Sequence, residues 1–103
     1  MSQIEHHSKE IERIELELTR KMIVLNLDWH DSQAMAKLAA ECKVFGPKQA
    51  QEAYASGDMA KISKAELFSL ASLMIQTMEN ATLEGRDVHG GEVWKAFGKH
   101  LYE

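Results

Sequence analysis

The five histidines of this sequence are its best candidates for metal binding, and two of them are adjacent. Glu10 follows His6 by four residues and His7 by three, so on a helix its carboxylate could share a metal ion with either imidazole. His6 and His7 themselves point about 100° apart on a helix, which disfavours a shared ion. The Glu-x-x-His pairs of di-iron bundles are absent from the sequence. A metal or small-ligand site at His6, His7 and Glu10 is therefore kept as an alternative, and we expect no cofactor.

Cys42 is the only cysteine, so the chain cannot form an internal disulfide. It falls on a predicted apolar helix face with Met35, Leu38 and Phe45, which favours a small core residue over a reactive thiol. The sequence also shows no terminal apolar run of the kind that a signal peptide needs, and no membrane-spanning run. We therefore expect a cytoplasmic protein that does not enter a membrane.

Two adjacent glycines, Gly90 and Gly91, precede the last predicted helix. A helix N-terminus attracts anions, but the neighbouring Asp87 and Glu92 oppose an anion ligand here. A loop with a capping role is the simpler interpretation. The sequence contains no recognisable nucleophile with its base, no paired-carboxylate centre and no phosphate-binding glycine loop, and we expect a binding protein rather than an enzyme.

Residues 33–55 loosely resemble a helix-turn-helix, with a turn at Gly46-Pro47. Lys43 stands where a turn glycine is usual, and the turn is about one residue too long. The second helix of this pair offers Lys48, Gln49 and Gln51 as contacts to nucleic acid. A transcriptional regulator that binds DNA through a degenerate motif is therefore an alternative function.

Charge and composition disfavour that alternative. The formal net charge is −4, and neither half of the sequence contains a basic block that could neutralise phosphates. Apolar residues make up 45% and charged residues 27% of 103 residues, as expected for a globular protein. This length fits a single domain, residues 1–103, with one modest core.

The first predicted helix begins near Ser2 or Gln3 and carries apolar residues at three- and four-residue spacing. This seam is longer than a small bundle should need, so we expect part of it to contact a partner, most simply a second copy in a two-fold dimer. The predicted interface consists of Ile4, His7, Ile11, Ile14, Leu18, Met22, Leu25 and Trp29.

Residues 22–28 are open to two interpretations. Apolar residues cover a helix nearly all round here, which requires burial on several sides. Ile23, Leu25, Leu27 and Trp29 also alternate as a strand would. Helix is preferred because the sequence contains no second convincing strand to pair with this one.

Turn residues divide the remainder into helices. Asp28 or Asp31 is the predicted N-cap of a second helix that ends at about Phe45. Gly46-Pro47 separates it from a short third helix, which ends around Gly57.

A capping box of Ser63 and Glu66 is predicted to start the fourth and most amphipathic helix, which ends at Gly85. A loop over residues 86–91 then leads to a last short helix with Val93, Trp94 and Phe97 on its apolar face. The sequence thus predicts an all-α fold, a small four- to five-helix bundle with short connections.

The function predicted from these features is that of a small helical protein–protein interaction or regulatory module. The unidentified partner is a protein, and homodimerisation is expected. The surplus of apolar residues in the first helix is the basis for this prediction.

Overall fold

A computed structural model describes the backbone of residues 3–103 and the side chains of residues 8–103. This part of the chain contains five helices and no strand, which confirms the all-α prediction. The helices are α1 (Gln3–Val24), α2 (Ser32–Lys43), α3 (Pro47–Ser56), α4 (Met59–Leu83) and α5 (Glu92–Leu101). Of the helices described, none is both long and apolar enough to cross a membrane.

The two longest helices, α1 and α4, form an antiparallel pair. Lys21 near the end of α1 donates to Glu66 in the first half of α4, with Nζ and Oε2 3.0 Å apart. Arg13, a little over two turns earlier in α1, lies beside Leu73, further along α4. The apolar stripes of the two helices therefore face each other along their length.

Helices α2 and α5 lie side by side and run in the same direction. His30, just before α2, lies 3.6 Å from the carboxylate of Glu92 at the start of α5. At the other end, Lys43 Nζ donates to the backbone oxygen of Glu103 at 3.0 Å. Side chains from α1, α2, α4 and α5 meet in one core. Its fully buried large members are Ile11, Leu18, Met22, Met35, Leu67, Met74 and Phe97.

The end of α1 is a helix followed by a tight turn, so the strand interpretation of residues 22–28 does not hold. Asn26 adopts a left-handed backbone conformation with φ of 57°. The N–H of Leu27 then donates back to the carbonyl of Met22 at 2.8 Å, as in a Schellman cap. A short connection then leads to α2, whose N-cap is Asp31.

The capping box predicted for α4 is wrong. The helix begins four residues before Ser63, because Asp58 accepts hydrogen bonds from the N–H groups of Ala60 and Lys61 and caps the helix there. Ser63 is instead buried inside the helix. Glu66 forms the ion pair with Lys21 and does not bond to the backbone of Ser63.

Candidate interaction surface

The predicted interface seam of α1 belongs mostly to the core of this chain. Ile11, Ile14, Leu18 and Met22 are each at most 2% exposed, because α4 and α5 pack over them. They are not accessible to a partner in this fold, which corrects the expectation that the seam lacks cover.

The remaining residues of that prediction differ in their placement. Leu25 and Trp29 are half-buried and pack against the core. The indole Nε1 of Trp29 is buried and has no hydrogen-bond partner among the described residues. The side chains of Ile4 and His7 lie outside the described residues.

Exposed apolar residues of α1 lie on its opposite side. Leu16 is 51% and Ile23 63% exposed. They are seven residues apart, which places them on one face of the helix, two turns from each other. Val24, next in sequence, is exposed as well. These three residues are called the outer α1 face below.

A groove opens where the end of α2 meets α3 and α4. Its floor is apolar and consists of Phe45, Ala53 and Phe68, and Val44 stands at its rim. The rings of Phe45 and Phe68 meet edge to face, with centroids 4.9 Å apart. The volume of the groove is about 460 Å³, within the range of sites that hold ligand groups. Val44 is 76% exposed, so an apolar side chain lies open to any occupant.

The sequence of α3 explains why this groove exists. Gly46-Pro47 and Gly57 limit α3 to ten residues. Ala53 is the one buried residue of α3 and lines the groove together with Phe68 of α4. The side chain of alanine is small, so space remains beside it. Phe68 is itself only 3% exposed, and the apolar surface that stays open here belongs to Val44 and the half-buried Phe45.

Charged residues border the groove on all sides. Lys61 and Lys64 stand on the α4 side, and Glu41 and Glu52 stand on the α2 and α3 sides. Lys64 Nζ lies 3.4 Å from Glu41 Oε2. Lys61 and Glu52 form no ion pair within the part of the chain that the structure describes.

The nucleic-acid candidates all lie on α3. Lys48, Gln49 and Gln51 are exposed. Gln49 is already engaged, because its Oε1 accepts the N–H of Gly46 at 2.9 Å and so caps α3. Lys48 is the only basic residue of α3, and the helix also carries Glu52. The exposed side of α3 therefore has no net positive charge.

The metal candidates are not brought together by the described structure. Glu10 forms an ion pair with Arg13 one turn further along α1. The side chains of His6 and His7 lie outside the described residues. From residue 8 onward, no three histidine, cysteine or carboxylate side chains are grouped as a metal site would require.

Cys42 is half-buried beside Phe45, Pro47 and Ser69, in a second and smaller depression behind α3. Desolvation by burial raises the pKa of its thiol above the ordinary value. The thiolate, which is the nucleophilic form, is disfavoured there. This environment suits a packing residue.

The glycine pair before α5 holds an internal anion. The carboxylate of Glu15 in α1 accepts the N–H of Gly91 and, at 2.9 Å, the N–H of Trp94. The predicted capping role of this loop is thus performed by a side chain from another helix. Sequence reasoning missed Glu15, because nothing local to residues 86–91 points to α1.

Comparison with family models, with curated proteins and with solved structures found no match for this chain.

Proposed function

We propose that this protein is a non-enzymatic helical module that acts by binding another protein. The observation that carries the proposal is the groove beside α3, because the exposed Val44 and the half-buried Phe45 leave apolar surface open there. Apolar grooves between helices are common sites for a partner helix. The lone, half-buried cysteine is compatible with a reducing compartment, and we place the protein in the cytoplasm as part of the same proposal.

Affinity capture from native cell extract tests the groove. Immobilised wild-type protein is compared with Val44→Glu, which puts a charge at the exposed rim without touching the core. Leu83→Glu is the matched control, because Leu83 is 85% exposed and lies at the far end of α4. We expect specific partners to be retained by wild type and by the control but lost from Val44→Glu. Identical capture by all three proteins would refute the proposal.

The proposal also includes a two-fold homodimer. Because the seam of α1 is mostly buried, we propose that the two copies meet through the outer α1 face. Its exposed residues are Leu16, Ile23 and Val24. A two-fold axis across this face would pair the same residues of both copies and remove them from water. This surface lies on the side of α1 away from its buried seam, and none of its residues lines the groove.

Light scattering coupled to gel filtration tests the dimer at tens of micromolar protein. We expect twice the mass of one chain for wild type and for Leu83→Lys, and the mass of one chain for Ile23→Lys. A wild-type protein that elutes as a monomer under these conditions would rule the dimer out, while the groove proposal would be unaffected.

The DNA-binding alternative gains no support from these residues. Only Lys48 on α3 could contact phosphate, and it stands on the same helix as Glu52. Phosphate contacts from several cationic side chains supply most of non-specific DNA affinity. We therefore do not advance it as a second function.

A further inference from the structure

The groove between α2, α3 and α4 is electrostatically two-sided. Its α4 side is basic through Lys61 and Lys64, and its opposite sides are acidic through Glu41 and Glu52. Lys64 Nζ lies 3.4 Å from Glu41 Oε2, so these two opposite charges largely cancel each other. One free positive charge and one free negative charge, those of Lys61 and Glu52, remain on opposing helices among the described residues.

We infer that the groove binds an amphipathic helix with acidic residues along one flank of its apolar stripe and basic residues along the other. The acidic flank faces Lys61 on α4, and the basic flank faces Glu52 on α3. The apolar stripe covers Val44 and the exposed part of Phe45. This inference rests on the proposed function and adds the chemistry and the orientation of the partner segment.

A helix fits this groove better than an extended peptide does. An extended peptide usually gains its backbone hydrogen bonds from the open edge of a sheet, and residues 3–103 contain no strand. All three walls here are helical. A ten-residue helix such as α3 is about 15 Å long, so a partner helix lying along it would make contact over nearly three turns. That length accommodates apolar anchors at positions i, i+3 or i+4, and i+7.

A second copy of this chain is a poorer occupant. In a two-fold dimer built on this face, each groove would meet the other groove, and two concave surfaces cannot fill one another. Val44 and the exposed part of Phe45 would stay uncovered. A convex helix from a different protein covers the floor and places both of its flanks against charge.

The opposite charges of Lys61 and Glu52 also determine the direction in which a partner helix lies in the groove. Reversing the partner helix end to end exchanges its flanks, so that acid would face Glu52 and base would face Lys61. Like charges brought together in this way disfavour the reversed orientation. The flank arrangement of a given partner helix therefore fixes the direction in which that helix lies in the groove.

A phage-displayed library tests the inference without knowledge of the natural partner. Each peptide has 16 residues, helix-favouring alanines, a fixed leucine stripe, and flank positions randomised among Glu, Lys and Gln. The baits are wild type, Val44→Glu, and Lys61→Glu, which makes the α3 and α4 positions both acidic. Both substituted residues are exposed, so the variants are expected to fold, and circular dichroism verifies this.

We expect wild type to enrich peptides with Glu on one flank and Lys on the other, and Lys61→Glu to enrich peptides with Lys on both flanks. Val44→Glu should retain at least tenfold fewer phage. The best wild-type peptide should bind Lys61→Glu three- to tenfold more weakly by fluorescence anisotropy, and the loss should shrink at 1 M salt because exposed charges are screened.

Three results would overturn the inference, and they differ in whether they also contradict the proposed binding function of the groove. Enrichment that depends on Val44 but shows no flank preference disproves the polarity and leaves the binding function intact. No enrichment, or enrichment that ignores Val44→Glu, contradicts the proposed groove function as well. Self-association of wild type that Val44→Glu abolishes would make a second copy the occupant.

Discussion

Glu15 caps α5 from a different helix, through a hydrogen bond that it accepts from the N–H of Gly91, 76 positions later in the sequence. The N–H of Trp94 donates to the other carboxylate oxygen at 2.9 Å. Gly91 is the N-cap residue of α5 and has no side chain with which to cap. A Cβ at Gly91 would lie 2.9 Å from both carboxylate oxygens, so the glycine leaves room for the partner that replaces its own cap.

Replacing Glu15 should destabilise the protein. Glu15→Ala leaves the first N–H groups of α5 without their acceptor, and loss of a helix cap costs about 1–2 kcal/mol in free energy of unfolding. Glu15→Gln keeps an acceptor oxygen without the charge and should fall between wild type and Ala. Urea denaturation followed by circular dichroism measures this. Glu12→Ala on the exposed side of α1 is the control, and an equal loss in both variants would contradict the capping role.

Gly90→Ala should also destabilise the fold. A Cβ at this position would stand 2.4 Å from Trp94 Cδ1 and 2.8 Å from Trp94 Cβ. Trp94 is buried and cannot easily move away, so we expect a loss of about 1–3 kcal/mol from overpacking. Thermal unfolding monitored by tryptophan fluorescence measures it. In the control Gly46→Ala, the new methyl meets only the flexible end of Gln49 at 3.2 Å, and its loss should be smaller.

The two sides of α1 should respond differently to truncation. Leu18 is fully buried and Leu16 is half exposed, although they are two residues apart. Leu18→Ala leaves a core cavity and should cost about 2–5 kcal/mol of stability. Leu16→Ala should change the stability of a single chain by less than about 0.5 kcal/mol. Denaturation at low micromolar protein makes the comparison, and a large loss for Leu16→Ala alone would mean that the core lies on the other side of α1.

The thiol of Cys42 should react slowly at neutral pH. Burial raises its pKa, so less thiolate is present than for an exposed cysteine. A group whose pKa is raised by folding contributes stability that is complete below its unfolded pKa and is lost as pH rises through the folded one. Wild type should therefore lose stability relative to Cys42→Ala on the alkaline side of an ordinary thiol pKa.

Alkylation by iodoacetamide as a function of pH measures the thiol directly. The control is Ala40→Cys in the Cys42→Ala background, because position 40 is exposed on the same helix. We expect its rate to rise at lower pH than that of Cys42, and urea to remove the difference. Equal pH profiles in the native proteins would show that burial does not hold the thiol protonated.

Much of the fold could be predicted because its signals are local. Helix ends depend on the conformation and hydrogen bonds of a few neighbouring residues. Asp31 begins α2, Gly46-Pro47 begins α3, and Gly57 ends α3. The error at α4 has the same origin. Asp58 and Ser63 both offer an oxygen that can cap a helix, and only the assembled helix shows that Asp58 does so one turn earlier.

The candidate site was not predicted, although one signal was present. Ala53 is the one apolar side chain that α3 contributes to the groove, and its small size leaves Val44 and part of Phe45 open. The long apolar seam of α1 predicted an interface, but the chain's own helices bury most of that seam. Periodicity shows that a helix face is apolar, but it does not show whether the same chain or another one covers that face.

The sequence by itself determined the all-α class, most helix boundaries and the absence of an internal disulfide, because each depends on nearby residues or on composition. Tertiary structure alone decided that α4 and α5 cover the seam of α1, that Glu15 caps α5, and that a charged groove opens beside α3. These features join residues far apart in the chain, and their contacts arise only once the helices have packed around a common core.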